Sequence, residues 1–159
     1  MELNITEEQL NVSDIARLAM LNEEKGARFY KSMTERADSQ KAKDVFHKLA
    51  KEETEHCRFF ASLAKQSDKS EIIEQKSAAY LKTLLEANVF PVDINGNVDI
   101  KSPHEALVIG IQAEKDSILL YQELFNNATS EKTRSVLSQL LQEEKMHLME
   151  LRHQLEELH

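Results

Sequence analysis

Apolar residues recur every three or four positions along four long stretches of the chain, which is the spacing of one face of an α-helix. We predict helices over residues 13–36, 39–65, 102–126 and 130–157. Short polar breaks join the first helix to the second and the third to the fourth, so the two helices of each pair are expected to be antiparallel neighbours. The pattern therefore predicts an all-α fold, an antiparallel four-helix bundle built from two helix pairs.

The two helix pairs are separated by a long connection. Within it, residues 70–88 have the pattern of a further helix and Asn95-Gly96-Asn97 that of a turn. A connection of this length fits a crossover that carries the chain from one end of a bundle to the other. We predict a single domain over residues 1–159, composed of a helix pair at 13–66, a crossover at 67–101 and a helix pair at 102–158.

Two of the predicted helices have capping signals at their start. For the third helix, Ser102 is the expected N-cap, Pro103 is the first helical residue and Glu105 closes a capping box. For the first helix, Ser13 is a candidate N-cap, and a start near Thr6 is the alternative.

Composition narrows the class of protein. The 28 acidic residues outnumber the 20 Lys and Arg residues, and a net charge of −8 has the wrong sign for neutralising nucleic-acid phosphates. A single Cys excludes an intramolecular disulfide and fits a reducing compartment. No apolar run approaches the roughly 18 residues of a membrane span, and the N-terminus lacks the features of a signal peptide. We expect a cytoplasmic protein that binds neither nucleic acid nor membranes.

The two helix pairs are also an internal repeat, because residues 14–66 align without a gap on residues 105–157. The identical pairs are mainly polar: Glu23/Glu114, Tyr30/Tyr121, Ala37/Ala128, Ser39/Ser130, Lys41/Lys132, Val45/Val136, Leu49/Leu140, Glu52/Glu143, Glu53/Glu144 and His56/His147. Packing is what a helical repeat ordinarily preserves, yet several core positions differ between the halves. The repeated polar residues therefore indicate shared chemistry.

Six of the repeated polar side chains fall on the apolar faces of the helices. They are Glu23 and Glu114 in the first helix of each pair, and the Glu-x-x-His motifs Glu53/His56 and Glu144/His147 in the second. Four ionised carboxylates without partners would cost more than the whole stability of a domain, typically about 5 to 15 kcal/mol. Two divalent cations would balance their charge.

We therefore predict a two-metal site in the bundle interior, an arrangement known from helical carboxylate bundles. Glu53 and Glu144 are the expected bridges between the metals. Glu23 and His56 would bind one metal, and Glu114 and His147 the other. Carboxylates and imidazoles suit iron or manganese and also accept zinc, so two Fe ions are the expected cofactor, with Mn or Zn as substitutes.

With these motifs the sequence resembles the rubrerythrin branch of the ferritin-like superfamily. The matching segments are EEKGARFY at 23–30, LAKEETEH at 49–56, EKDSILLY at 114–121 and EEKMH at 143–147. The resemblance implies a non-haem di-iron centre, reaction with hydrogen peroxide or O2, and a homodimer, with or without exchange of helix pairs. It predicts a di-iron peroxidase or oxidase related to the ferroxidases.

The sequence departs from that family at two points. Rubrerythrins proper carry a rubredoxin-like domain with paired Cys-x-x-Cys motifs, whereas these 159 residues contain one Cys, so we expect a separate electron-donor protein such as a rubredoxin. Rubrerythrins also have an additional Glu three residues after the second-repeat ligand. Here that position is Ser117, and its first-repeat equivalent is Gly26, so the centre is closer to the six-ligand set of other ferritin-like proteins.

Some roles stay open at this point. Tyr30 and Tyr121 are either core aromatics or hydrogen-bond partners of ligand carboxylates. Glu52 and Glu143 lie one residue away from the preferred spacing, so we interpret them as supporting charges or part of the helix surface rather than as ligands. The leading functional hypothesis is reduction of peroxide or O2 with oxidation of an Fe(II) pair. The alternatives are metal binding or storage without turnover, and a helical interaction module that retains the ligands by descent.

Overall fold

A computed structural model describes residues 11–66, 75–86 and 90–158. The described residues form five helices: α1 (Val12–Arg36), α2 (Gln40–Gln66), α3 (Gln75–Glu86), α4 (Pro103–Asn127) and α5 (Glu131–Glu157). The predicted all-α architecture of two helix pairs with an extra helix in the crossover is confirmed. Each of the four long helices lies within one or two residues of its predicted bounds. The outer parts of the predicted 70–88 helix lie outside the described residues. Among the helices that the structure describes, none is both long and apolar enough to cross a membrane.

The predicted N-cap of α1 is wrong. The cap is Asn11, whose side chain accepts a hydrogen bond from the backbone N–H of Asp14, while the Asp14 carboxylate accepts one from the Asn11 N–H. This reciprocal pair satisfies two N–H groups at the helix start. Ser13 is instead inside the helix and buried, and its hydroxyl donates to the carbonyl of Ala64 on α2. The alternative start near Thr6 lies outside the described residues.

The start of α4 follows the prediction in part. Ser102 is the N-cap, and its hydroxyl accepts a hydrogen bond from the Glu105 N–H. The Glu105 carboxylate, however, accepts from the N–H of Lys101, one residue before the cap. The carboxylate therefore still satisfies a free backbone donor at this helix end, although not in the predicted capping box.

The apolar core consists of two clusters. One contains Ile15, Phe60 and Leu137 together with Leu81 of α3, and the other contains Phe29, Leu49 and Leu151. The six predicted ligand residues are buried but belong to neither cluster. The helices therefore surround a polar region that divides the apolar core.

After α3, residues 90–102 form a short hairpin-like segment that packs against α1. Val92 and Val98 pair across it, and Gly96 has a φ of 81°, a conformation that favours glycine. The Asp93 carboxylate accepts hydrogen bonds from the backbone N–H groups of Asn95 and Asn97. This segment supplies one wall of the site described next.

Candidate metal centre

The structure brings all six predicted ligand side chains together in the bundle interior. Their exposed fractions are 3% for Glu23, 3% for Glu53, 1% for His56, 2% for Glu114, and 0% for Glu144 and His147. They come from α1, α2, α4 and α5. The Glu and the His of each Glu-x-x-His motif are three residues apart, which is less than one helical turn, so they lie on the same face. Helical periodicity therefore places the motifs correctly, because each residue lies on the face that its helix turns inward.

The six side chains form two overlapping groups. One comprises Glu23, Glu53, His56 and Glu144, and the other comprises Glu53, Glu114, Glu144 and His147. Within each group one ligand atom per residue lies within 4.8 Å of the others. Glu53 and Glu144 belong to both groups, which is the geometry expected of carboxylates that bridge two ions. The assignment of these residues as ligands stays a prediction.

The free polar atoms of the cluster fit a pair of cations. Each of the six side chains has at least one buried oxygen or nitrogen without a hydrogen-bond partner among the described residues: Glu23 Oε2, Glu53 Oε1, His56 Nδ1, Glu114 Oε2, Glu144 Oε1 and Oε2, and His147 Nδ1. His56 Nδ1 lies 2.8 Å from Glu144 Oε1, but this pair lacks hydrogen-bond geometry. Buried atoms of this kind are costly unless they coordinate an ion or bind a proton.

The electrostatics of the cluster show the same need for positive charge. Burial raises the pKa of Glu23 and of Glu144 well above the usual value of 4.5, and neighbouring carboxylates raise both pKa values further. Burial alone would lower the pKa of His147, but close contacts with Glu114, Glu52 and Glu53 outweigh it and raise that pKa to about 12. Without metal, protons therefore take the place of cations in neutralising the cluster.

Glu53 differs from the other buried carboxylates. Burial alone would raise its pKa, but contacts with Glu23 and His147 and the positive field of the imidazoles outweigh burial and lower the pKa to about 2. Glu53 therefore stays ionised across the physiological range. A permanently charged carboxylate shared by both groups is well suited to hold two cations.

Each histidine of the cluster is also held by a glutamate from the other helix pair. His56 Nε2 lies 2.6 Å from Glu143 Oε2 on α5, and His147 Nε2 contacts Glu52 Oε2 on α2. These contacts leave each Nδ1 directed at the cluster, and outer carboxylates of this kind fix the ring orientation of metal-binding histidines. Of the two open readings of Glu52 and Glu143, the structure favours supporting charges. Their recurrence in both repeats was the signal for this role.

The two repeated tyrosines have different environments. The Tyr30 hydroxyl donates to Glu114 Oε1 at 2.7 Å, whereas the buried Tyr121 hydroxyl has no hydrogen-bond partner among the described residues. A Cβ at Gly110 of α4 would lie 3.4 Å from the Tyr30 hydroxyl, and the repeat equivalent of Gly110 is Ala19. Tyr30 is therefore a partner of a predicted ligand, and Tyr121 is a core aromatic beside His56.

Comparisons with known proteins agree with this geometry. The rubrerythrin family profile matches residues 14–155. The crystal structure of a putative ferritin-like diiron-carboxylate protein from Thermotoga maritima superposes with a TM-score of 0.73 and 25% sequence identity. The alignment covers 96% of this chain and 99% of that chain. A search of curated proteins found no match.

The fold and the buried carboxylate-histidine cluster define a ferritin-like bundle with the features of a two-metal centre. Within that class, the rubrerythrin family profile covers residues 14–155, which is most of the chain. The chain belongs to the rubrerythrin family. The resemblance deduced from the repeated motifs is thereby confirmed.

Proposed function

We propose that this protein is a non-haem di-iron oxidoreductase that reduces hydrogen peroxide or O2, with electrons from a separate donor protein such as a rubredoxin. The observation that carries the proposal is the convergence of four carboxylates and two imidazoles, with unpartnered atoms directed at one another, in a family member. Carboxylate-rich sites suit metals that change valence, because carboxylates can bridge two ions and adjust their binding as the charge changes.

In this proposal Glu23 and His56 would hold one metal, Glu114 and His147 would hold the other, and Glu53 and Glu144 would be shared by both. An Fe(II) pair held by these residues would supply the two electrons that, with two protons, reduce hydrogen peroxide to two waters. Glu143 and Glu52 orient the imidazoles of His56 and His147 through contacts with their Nε2 atoms. Tyr30 fixes the position of the Glu114 carboxylate. The surrounding apolar clusters keep bulk water away from the reacting ions.

The test is anaerobic loading with Fe(II), followed by stopped-flow addition of hydrogen peroxide. We expect close to two Fe per chain and a near-ultraviolet absorption band of the oxidised pair that grows on mixing. The variant Glu53→Gln/Glu144→Gln should lose both, since it removes the two shared carboxylates. Glu55→Gln, an exposed neighbour on α2, is the matched control and should behave like the wild type. A wild-type protein that binds two Fe but shows no change on mixing would contradict reduction of peroxide.

Metal binding or storage without turnover is the second candidate. The observation that favours it is the absence of the additional Glu of rubrerythrins, since Ser117 and Gly26 occupy the two equivalent positions. Repeated cycles with reduced rubredoxin and peroxide separate the two functions. An oxidoreductase consumes the donor continuously, whereas a storage or buffering protein oxidises its metals once and stops.

A further inference from the structure

One aromatic ring from the crossover lies beside the centre. Phe90 is the first residue of the hairpin-like segment, and its ring centroid lies 5.1 Å from that of Phe29 and 6.0 Å from that of Tyr30. Phe90 is half-buried. It therefore contacts the interior aromatics on one side and retains exposure to solvent on the other.

Phe90 and the centre approach each other closely because residue 26 is a glycine. A Cβ at Gly26 would lie 3.2 Å from Phe90 Cε2 and 3.3 Å from Glu53 Oε2. The edge of the Phe90 ring and a shared carboxylate of the cluster thus converge on the same point above α1. Glu53 is only 3% exposed, and among the described residues the partly exposed Phe90 lies over it at this position.

The segment that begins with Phe90 is attached to α1 through one side chain, that of Arg36. The Arg36 guanidinium donates hydrogen bonds to the carbonyls of Val98 and Ile100 in the hairpin-like segment. Within the segment, the N–H of Asp99 donates to the carbonyl of Pro91, the residue after Phe90. These hydrogen bonds of the segment involve none of the six predicted ligands, and Phe90 itself is not one of them, so the ring can be changed without removing a ligand.

We propose that Phe90 sets the size limit for oxidants that reach the metal centre past Gly26, so that the substrate class is hydrogen peroxide or O2 rather than bulky organic hydroperoxides. This inference rests on the proposed function. A phenyl ring neither coordinates metal nor forms strong hydrogen bonds, so its contribution at this point is steric exclusion of large molecules and of water. Small differences in pocket size of this kind discriminate between substrates by about 10- to 200-fold.

The experiment compares two oxidants on the diferrous protein, hydrogen peroxide and tert-butyl hydroperoxide. Each takes two electrons from the Fe(II) pair and two protons, and its O–O bond breaks to give two waters or one water and tert-butanol. The variants are Phe90→Ala and the milder Phe90→Leu, which retains apolar bulk if the alanine variant does not fold. Phe125→Ala, another half-buried phenylalanine at the C-terminal end of α4, is the matched control.

We expect Phe90→Ala to accelerate oxidation by tert-butyl hydroperoxide about tenfold or more, with a change below about threefold for hydrogen peroxide. Phe90→Leu should give an intermediate ratio, and Phe125→Ala the wild-type ratio. A second measurement does not depend on turnover. Loss of bound Co(II) to excess ethylenediaminetetraacetate, followed by visible absorption, should accelerate in Phe90→Ala and not in Phe125→Ala.

Metal content separates the possible failures. If the Phe90 variants bind two metals per chain and keep the wild-type oxidant ratio and Co(II) release rate, the inference is wrong while the proposed function stands. If Phe125→Ala changes both quantities as much as Phe90→Ala does, general loosening of the fold explains the effect, and the inference is again wrong. A wild-type protein that binds no metal pair overturns the proposed function and this inference together.

Discussion

At the scale of single residues, the repeat conceals a difference between its two tyrosines. The sequence makes Tyr30 and Tyr121 equivalent, but only the Tyr30 hydroxyl meets a carboxylate, that of Glu114. A Cβ at position 110 would lie 3.1 Å from Leu151 Cδ1 and at an ordinary contact distance of 3.4 Å from the Tyr30 hydroxyl, so the glycine mainly makes room for Leu151. The repeat equivalent is Ala19, so the two halves differ in packing here as well as in hydrogen bonding.

Replacing each tyrosine with phenylalanine should therefore have unequal effects on stability. Tyr30→Phe leaves a buried carboxylate oxygen without its donor, and we expect a loss of about 1 to 3 kcal/mol in the free energy of unfolding. Tyr121→Phe removes a hydroxyl that has no partner among the described residues, so the change should lie near zero. Urea denaturation of the metal-free proteins measures both values, and equal losses would contradict the different roles assigned here.

The six predicted ligands are easier to predict from the sequence than Glu52 and Glu143, the two glutamates that contact the histidines. Glu53 and His56 are three residues apart on a face already marked by apolar neighbours, so the spacing alone places them inward. Glu52 is one residue away from that face, about 100° around the helix, and a single-helix pattern assigns it to the surface. Its contact is with His147 of the other helix pair, and contacts between helices depend on packing distances that periodicity does not contain.

At the scale of helices and segments, long apolar stripes determine the middle of each helix, and local hydrogen bonds determine its ends. Ser13 has the right side chain for an N-cap, yet its hydroxyl bonds to Ala64 across the α1–α2 interface, and Asn11 caps the helix instead. Several residues near a helix start can form a cap. The choice among them depends on which one finds a tertiary partner, which is why this boundary was predicted incorrectly.

The attachment of the hairpin-like segment to α1 is testable. Arg36→Gln removes the guanidinium that bonds to the carbonyls of Val98 and Ile100. We expect hydrogen exchange at the Asp99 and Asp93 amides to accelerate by roughly three- to tenfold, because these exposed bonds stabilise the segment only modestly. Lys31→Gln, an exposed substitution on the same helix, is the control. Unchanged exchange in Arg36→Gln would show that the segment does not depend on this contact.

At the scale of the whole molecule, the sequence predicted the arrangement of helices because the repeat and the crossover length left few alternatives. Two similar helix pairs with short internal breaks and a long connection pack most simply as one bundle. The packing of residues 90–102 against α1 was not predicted. That segment lacks the helical spacing of apolar residues that places the other elements, and the contacts that hold it, such as those of its carbonyls with Arg36, join parts of the chain far apart in sequence.

Metal should stabilise the whole fold, and more so at higher pH. In the metal-free protein the pKa values of Glu23 and Glu144 are raised well above 4.5, and the pKa of His147 is raised to about 12. The stability that these protonated groups contribute is fully present below their unfolded pKa values, and it is lost as pH rises through the folded ones. Metal binding becomes more favourable as pH rises, because the ligand side chains must be deprotonated to bind metal.

The expected measurement is the difference in Tm between Co(II)-loaded and metal-free protein at pH 5.5 and pH 7.5. At a free metal concentration 100 times the Kd, each bound metal stabilises the fold by about 2.7 kcal/mol, which corresponds to roughly 5 to 10 °C per metal for a chain of this length. The difference should be larger at pH 7.5. Glu53→Gln/Glu144→Gln should show little difference at either pH. A wild-type difference that shrinks as pH rises would contradict proton displacement by the metal.

The contacts His56–Glu143 and His147–Glu52 make the two halves of the chain depend on each other. Each half of the chain contributes three of the six predicted ligands, and each imidazole contacts a glutamate carboxylate from the opposite half. Neither half alone can close a coordination sphere. If the halves were separate polypeptides, the same contacts would join them into a twofold dimer whose axis exchanges the two metal positions. The crossover makes that partnership permanent, and it leaves each half free to acquire differences such as Gly110 in place of Ala19.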